Sequence, residues 1–109
     1  MSDIFTIEDA RAFIEEGTMS LPFTLKLTKP IKLGEDTVSE ITFKNEPTAA
    51  DVEKMPVKDQ NMGHFYPVIS KMTGQTLVGI RRLSFKDLQN AMELSNHFLG
   101  GSEEIGEDL

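Results

Sequence analysis

The 109-residue sequence predicts a small α+β domain with an N-terminal helix, a β-hairpin and then a small bundle of three or four helices. Three observations predict this class. Apolar residues recur three and four positions apart near both ends of the chain, which is the spacing of one helix face. Residues 23–29 instead alternate apolar and polar side chains, as a half-buried strand does. A glycine-containing turn then precedes a second, β-branched segment.

The first helix is predicted over Ile7 to Glu16. Thr6 offers a capping hydroxyl and Asp9 an acidic group three positions later, so together they can satisfy free amides at a helix start. Gly17 is suited to end the helix, because glycine adopts the left-handed conformation of a C-terminal cap without a side-chain clash. The apolar face of this helix consists of Ile7, Ala10, Phe13 and Ile14.

The hairpin is predicted from a strand over Phe23 to Lys29, a turn over Leu33 to Thr37 and a strand over Val38 to Phe43. The alternation of the second strand is imperfect, because Val38 and Ile41 fall on opposite faces. Either a bulge or burial of both faces would explain this, and the pattern leaves both open.

Two short helices are predicted next. Thr48 to Asp51 is a helix-start pattern with a short apolar face, and a proline ends this helix. Val57 to His64 is polar and predicted to be a loop. Pro67 is placed in the first turn of the following helix, which Gly74 ends, and a short link through Leu77 and Ile80 follows. The apolar residues of the two helices are Val52 and Met55, then Val68, Ile69 and Met72.

The final helix has the strongest pattern. It begins at Ser84 and ends at Gly100-Gly101, and the acidic segment Ser102 to Leu109 is expected to be disordered because it has little apolar area to bury. We therefore divide the chain into an N-terminal helical extension (residues 1–20), a main domain (21–101) and an acidic tail (102–109). The predicted apolar face comprises Phe85, Leu88, Ala91, Met92, Ser95, Phe98 and Leu99.

Composition excludes several classes of protein. The chain has no cysteine, which removes disulfides, thiolate nucleophiles and cysteine-based zinc sites. Its 11 basic and 18 acidic residues give a net charge of −7, which argues against nucleic-acid binding and favours a protein partner. The N-terminus lacks the pattern of a secretion signal and no apolar run reaches the roughly 20 residues of a membrane span, so we expect a cytoplasmic protein without membrane contact.

No catalytic, cofactor-binding or metal-binding residue is predicted. His64 and His97 are far apart and lie in no nucleophile or ligand motif, so each is interpreted as an ordinary histidine. The glycines form no phosphate-binding pattern. Arg81-Arg82 is interpreted as a solvated basic patch before a helix rather than a phosphate clamp. The pairs Glu15-Glu16 and Glu103-Glu104 are interpreted as solvated surface. We therefore expect no enzyme and no cofactor.

Methionine is the one residue type whose abundance suggests binding. The chain has six methionines, and a flexible thioether can adapt to varied partners. Core filling is the competing and favoured interpretation for each, especially for Met92. The methionines considered for an adaptable groove are Met55, Met62, Met72 and Met92.

Several short segments follow one another in a particular order. They are Lys29-Pro30-Ile31 at the end of a strand, the turn at Gly34, Ser39-Glu40-Ile41-Thr42 in the second strand, Glu46-Pro47-Thr48 with Asp51 at a helix start, Thr73-Gly74 and Leu83-Ser84-Phe85-Lys86-Asp87. In this order they resemble the tail assembly chaperones of Mu-like and P2-like phages. That family is similar in having a strand that ends in Lys-Pro-Ile, a glycine turn, a second strand, a Glu-Pro-Thr helix start followed by Asp, a Thr-Gly element and a leucine-serine-x-x-aspartate element.

The resemblance implies a phage or prophage protein of the host bacterial cytoplasm that binds the tape measure protein, a long and aggregation-prone helical chain. It would keep that protein soluble until tail tube polymerisation. The resemblance also implies a longer product of the same gene, made by ribosomal frameshifting, that recruits the tail tube protein. Self-association is left open.

Two other functions compete with this one. A minor structural component of the tail, such as a terminator or connector, is the alternative, and its presence in purified particles would distinguish it. A host-directed regulator or antitoxin comes third, since the net charge argues against operator binding.

Overall fold

The computed structural model of the chain describes residues 3–52 and 62–99. Within those residues it contains five helices and a three-stranded sheet of order β1-β2-β3. The mixed helix and sheet class is confirmed, but the sheet has one more strand than predicted. In chain order the elements are β1 (Ile4–Phe5), α1 (Ile7–Glu16), β2 (Phe23–Leu33), β3 (Asp36–Phe43), α2 (Ala49–Val52), α3 (Met62–Thr73), α4 (Leu77–Arg81) and α5 (Phe85–Phe98).

Helix α1 has the predicted bounds and the predicted caps. The Thr6 hydroxyl accepts a hydrogen bond from the backbone N–H of Asp9 at 3.2 Å, and the Asp9 carboxylate accepts from the N–H of Thr6 at 3.0 Å. Gly17 ends the helix with a φ of 74°. Ile7 and Ala10 are buried in the main core, so α1 packs on the same core as the sheet.

Strand β1 was not predicted. It pairs in parallel with the start of β2, and two residues are too few to show an alternating pattern. Phe5 stacks on Phe23 with ring centroids 5.2 Å apart and meets Phe13 edge to face at 5.1 Å. These rings attach the N-terminal segment to the sheet.

The hairpin is confirmed, with strands longer than predicted and a turn of only Gly34 and Glu35. Gly34 has a φ of 66°, a conformation that glycine adopts without strain. The irregularity left open for the second strand lies instead in β2, between Lys26 and Ile31. The predicted inward residues of β2 are buried, namely Phe23, Leu25 and Leu27.

Two predictions for the region of α3 need correction. The predicted loop over Val57 to His64 is wrong at its end, because α3 already begins at Met62. Pro67 lies inside α3 rather than in its first turn. A proline there removes one backbone hydrogen bond, but burial of the opposite face offsets the loss. That buried face comprises Phe65, Val68, Ile69 and Met72.

The predicted link through Leu77 and Ile80 is helix α4. The Thr76 hydroxyl caps it by accepting a hydrogen bond from the N–H of Gly79 at 3.1 Å, and Ile80 is buried. Five residues are too short for a periodic pattern, which is why the sequence did not reveal this helix. The predicted helix start after Pro47 corresponds to α2, whereas Met55 and Pro56 lie outside the described residues.

Helix α5 begins at the predicted N-cap, Ser84, but its buried face is rotated. Phe85 was predicted to face the core and is 63% exposed. The buried face includes two polar residues, Asp87 and Asn90, together with Leu94. At about 100° per residue, these three positions place the centre of the buried arc on the side of the helix away from Phe85.

The ends of the chain were predicted in part on residues that the structure does not describe. The stop at Gly100-Gly101 and the acidic tail over Ser102 to Leu109 both lie there. The last described residue, Leu99, is the C-cap of α5. Among the described helices, none combines the length and the apolar character needed to cross a bilayer.

Candidate partner-binding surface

The bulge of β2 is the feature that organises this surface. Lys26 pairs with Glu40 and Ile31 pairs with Val38, so four residues of β2 lie opposite one residue of β3. Such an insertion interrupts the ladder and leaves backbone groups without their strand partners. In this chain it also exposes a lysine and a proline between two paired segments of the hairpin, because Lys29 and Pro30 are both exposed.

Asp87 supplies the missing partners. Its carboxylate accepts hydrogen bonds from the backbone N–H of Thr28 at 2.8 Å and of Lys29 at 3.1 Å. It accepts a third from the Ser84 hydroxyl at 3.0 Å, while that hydroxyl accepts from the backbone N–H of Asp87 at 3.2 Å. The side chain of Asp87 is fully buried. A buried carboxylate is tolerated when donors surround it, and here those donors fix the bulge to the start of α5.

A cleft lies beside this junction. It has a volume of about 250 Å³ and lies between the β2 bulge and the loop that joins α4 to α5. Three of its lining residues are cationic and none is acidic. The lining residues are Lys29, Pro30, Ile31, Lys32, Arg82 and Ser84, and we call them the basic cleft.

The charges of the basic cleft face solvent. Lys29, Lys32 and Arg82 are all exposed, and within the described residues no carboxylate lies within 4.0 Å of their cationic groups. The Arg82 guanidinium donates one hydrogen bond, at 3.0 Å, to the backbone carbonyl of Lys32, which fixes it at the cleft wall. Among the described residues, this guanidinium donates no other hydrogen bond. A local positive site therefore exists on a chain of net charge −7.

Exposed apolar side chains flank the basic cleft in sequence. Among the described residues, four large hydrophobic side chains are strongly exposed, and three of them lie within the segment 77–85. Leu77 is 41% exposed, Val78 57% and Phe85 63%. Arg81, Arg82 and Lys86 are exposed in the same stretch, so the α4–α5 junction exposes both apolar and cationic side chains. Aromatic and arginine side chains of this kind are the ones most often responsible for affinity at protein interfaces.

Unlike the cations of the basic cleft, Arg11 of α1 is paired with a carboxylate. Arg11 donates two hydrogen bonds of 2.9 Å to the carboxylate of Glu93 on α5. The side-chain hydrogen bond from Arg11 lowers the pKa of Glu93, and the nearby positive charges of Arg11 and Lys86 lower it further. The same hydrogen bond raises the pKa of Arg11. The Arg11 cation is therefore already paired within the fold.

The two histidines lie on different helices. His64 is half-buried in the first turn of α3, not in the predicted loop. His97 is half-buried near the end of α5, with its ring 5.1 Å from that of Phe98. Within the part of the chain that the structure describes, no group of three or more histidine, aspartate or glutamate side chains is arranged to hold a metal.

The methionines do not line a shared groove where they can be placed. Met72 is fully buried in the core, and Met92 is partly buried against it, which is the core-filling arrangement favoured from the sequence. Met55 lies outside the described residues, as does the side chain of Met62. Among the described residues, the strongly exposed large hydrophobic side chains are instead aliphatic or aromatic.

Sequence reasoning found the parts of this surface without joining them. The Lys29-Pro30-Ile31 segment and the leucine-serine-x-x-aspartate segment were both singled out, and the structure connects them through the Asp87 carboxylate. Arg81-Arg82 is exposed, as interpreted. The exposure of Phe85 was missed. No local signal could have found it, because Ile7 holds the same position after the N-cap of α1 and is buried.

One comparison with known proteins gives a family. The model of a protein family described as "phage tail assembly chaperone proteins, E, or 41 or 14" matches residues 24–100. These residues include the β2 bulge, the basic cleft and the whole of α5. A search of curated proteins and a search of solved structures each found no match. Because the family match covers more than half of the 109 residues, this chain belongs to the phage tail assembly chaperone family.

Proposed function

We propose that the chain binds the phage tape measure protein in the host bacterial cytoplasm and keeps it soluble until the tail tube polymerises. Membership of the tail assembly chaperone family over residues 24–100 is the observation that supports this most strongly. The family role is assembly and not catalysis, and its partners are phage tail proteins.

The physical need follows from the partner's chemistry. A long helical chain with apolar faces exposes more hydrophobic surface than a monomer can keep in water without association. A small protein can prevent this by covering part of each face until the tail tube encloses it. The exposure of Leu77, Val78 and Phe85 at the α4–α5 junction supports such a role.

Co-expression tests the proposal. The tape measure protein of the same phage is expressed alone, with this chain, and with the Leu88→Asp variant, which should not fold because it buries a charge. The soluble fraction of the tape measure protein is measured after centrifugation. We expect it to rise only with the wild-type chain, and the two proteins to co-purify. An equal soluble fraction in all three samples would refute the proposal.

Purified phage particles provide a second test. A chaperone that the tail tube displaces should be absent from mature particles, whereas a terminator or connector should be present in stoichiometric amounts. Quantitative mass spectrometry of particles and of the lysate before assembly distinguishes the two. Retention of the chain in particles at the level of other tail proteins would favour the structural alternative.

A further inference from the structure

We propose that the basic cleft and the exposed apolar residues beside it bind an acidic amphipathic helix of a partner protein. In one respect this rests on the proposed function, since the tape measure protein is the partner expected to supply that helix. The bound segment must carry carboxylates on one side and apolar side chains on the other.

Charge selects the polar side of the bound segment. Lys29, Lys32 and Arg82 surround the cleft, no acidic residue lines it, and none of the three has a carboxylate within 4.0 Å among the described residues. Like charges held close together repel one another, and a bound carboxylate relieves this repulsion. Arg82 is held by the carbonyl of Lys32, so it is already oriented and loses less freedom on binding.

The backbone of the bulge is not available to an anion. The N–H groups of Thr28 and Lys29 both donate to Asp87, which occupies the position that a bound phosphate or carboxylate would otherwise take. Recognition therefore depends on side chains that reach outward. Two lysines and an arginine spread over the cleft suit several spaced carboxylates, as on one side of a helix, better than they suit one compact anion.

The apolar residues select the other side of the segment. Val78 lies four residues before Arg82, which lines the cleft, and residues three or four apart are neighbours on a helix surface. Phe85 lies in the first turn of α5 and follows Ser84, which also lines the cleft. Exposed apolar and cationic side chains thus occur together in the short segment 78–85. A helix with leucine-like residues on one stripe and glutamates beside it is complementary to both.

A protein partner is favoured over nucleic acid by the rest of the chain. The net charge is −7, and α1 alone carries Glu8, Asp9, Glu15 and Glu16. A phosphate backbone would approach this field at a cost that grows with its length, whereas a short acidic helix contacts only the cleft. Apolar Phe85 and Val78 also have no counterpart on a duplex surface.

Nuclear magnetic resonance of the full chain provides the test. The ¹⁵N-labelled protein is titrated with two synthetic helical peptides of roughly 14 residues, about four turns. Both carry the same leucine stripe, and one carries glutamates where the other carries lysines. We expect only the glutamate peptide to shift the amide signals of Lys29, Lys32, Arg82 and Phe85 in a saturable way. Its affinity should fall about tenfold or more as salt rises across the range where screening becomes strong.

Matched variants locate the binding. Lys29→Glu combined with Lys32→Glu should weaken the glutamate peptide about tenfold or more, while Lys44→Glu combined with Lys71→Glu, which adds the same charge at other exposed sites, should change the affinity much less. Thermal unfolding curves of both variants should match that of the wild type. Equal binding of the two peptides, or equal effects of the two variants, would overturn the proposal.

The outcomes separate this inference from the proposed function. If the wild type and the Lys29→Glu, Lys32→Glu variant bind the tape measure protein equally well, the function stands and the cleft is wrong. If the glutamate peptide binds the cleft but the tape measure protein does not, the cleft stands and the partner is another acidic helix.

Two other occupants are also distinguishable. A version ending at Gly101 lacks four acidic residues of the tail, Glu103, Glu104, Glu107 and Asp108. If removal of the tail shifts the amide signals of the cleft and the peptide does not bind, the occupant of the cleft is the chain's own tail. If these signals change with protein concentration and no peptide binds, the occupant is a second copy of the chain. Either result would overturn the proposal.

Discussion

The starts of α1 and α5 carry the same sequence pattern and behave differently. Each has a hydroxyl residue, then an apolar residue, then an aspartate at the third helical position. In α1 the carboxylate of Asp9 returns to its own N-cap, and Ile7 is 5% exposed. In α5 the carboxylate of Asp87 instead reaches across to the β2 bulge, and Phe85 is 63% exposed.

The difference shows how one local cap can serve two purposes. At α1 the cap, the apolar residue and the cation Arg11 are all used within the fold, since Arg11 pairs with Glu93. At α5 the aspartate is used to hold a distant strand, and the apolar and cationic groups around it face solvent. The start of α1 thus stabilises the domain, whereas the start of α5 both stabilises it and presents a surface.

The largest effect is expected from Leu88→Asp in α5. Leu88 is 6% exposed, and an unpaired charge there should cost roughly 4 kcal/mol or more, a large part of the stability of a domain this size. The variant should lose its cooperative unfolding transition. Gln89→Asp places the same charge on the exposed neighbouring position and should unfold almost as the wild type does. If both unfold alike, α5 does not pack as described.

The next largest effect on stability is expected from Asp87→Ala, compared with Asp9→Ala. Asp87→Ala leaves the amides of Thr28 and Lys29 without an acceptor and removes the link from α5 to β2, so it should lower the free energy of unfolding by about 2–4 kcal/mol. Asp9→Ala removes only a local cap and should cost about 0.5–1 kcal/mol. Urea denaturation measures both. Equal losses would mean that Asp87 acts only as a cap.

A smaller difference in stability is expected between variants of Ile7 and Phe85, the apolar residues that follow the two N-caps. Ile7→Ala should lower the free energy of unfolding by about 2–3 kcal/mol, because it removes buried methyl groups from the core. Phe85→Ala should change it by less than about 0.5 kcal/mol, because the ring is already mostly in water. Loss of several degrees of melting temperature for Phe85→Ala would show that Phe85 serves the fold.

The smallest effect is expected from Glu93→Gln. The pKa of Glu93 is lowered in the folded chain by the hydrogen bond from Arg11, so the pair stabilises the fold above the usual glutamate pKa and loses this contribution as pH falls through the lowered value. Both side chains are partly exposed, which weakens the pair. The stability difference between wild type and variant should therefore be small at neutral pH, shrink in high salt and vanish in acid.

The sequence predicts the elements that have a complete local pattern. Thr6, Asp9 and Gly17 define α1 because both caps are made from adjacent residues. Gly34 and the β-branched residues after it likewise define the hairpin, because the turn and the strand that follows it are adjacent in the sequence. Strand β1 and helix α4 are too short for their pattern to be counted, and α3 contains Pro67, whose local preference is overridden by packing.

The candidate surface depends on contacts that are distant in the sequence. Asp87 and Thr28 are 59 positions apart, and no local rule pairs them. An aspartate three residues after a serine is normally a cap, so its use to hold a bulge is visible only in three dimensions. Burial of Asp87 and Asn90 also rotates α5, and this rotation is what exposes Phe85. The resemblance identified the family correctly, because the order of segments along the chain can be read from the sequence alone.

The most direct test of this account is binding of the tape measure protein to Phe85→Ser, with Ile4→Ser as the matched control. Both residues are large, apolar and exposed, but Ile4 lies on β1, outside the residues that match the family. Affinity is measured by isothermal titration on folded, purified chains. The account predicts that Phe85→Ser binds about tenfold or more weakly and that Ile4→Ser binds as the wild type does. Equal affinity of both variants with the wild type would contradict the assignment of the α4–α5 junction as the binding surface.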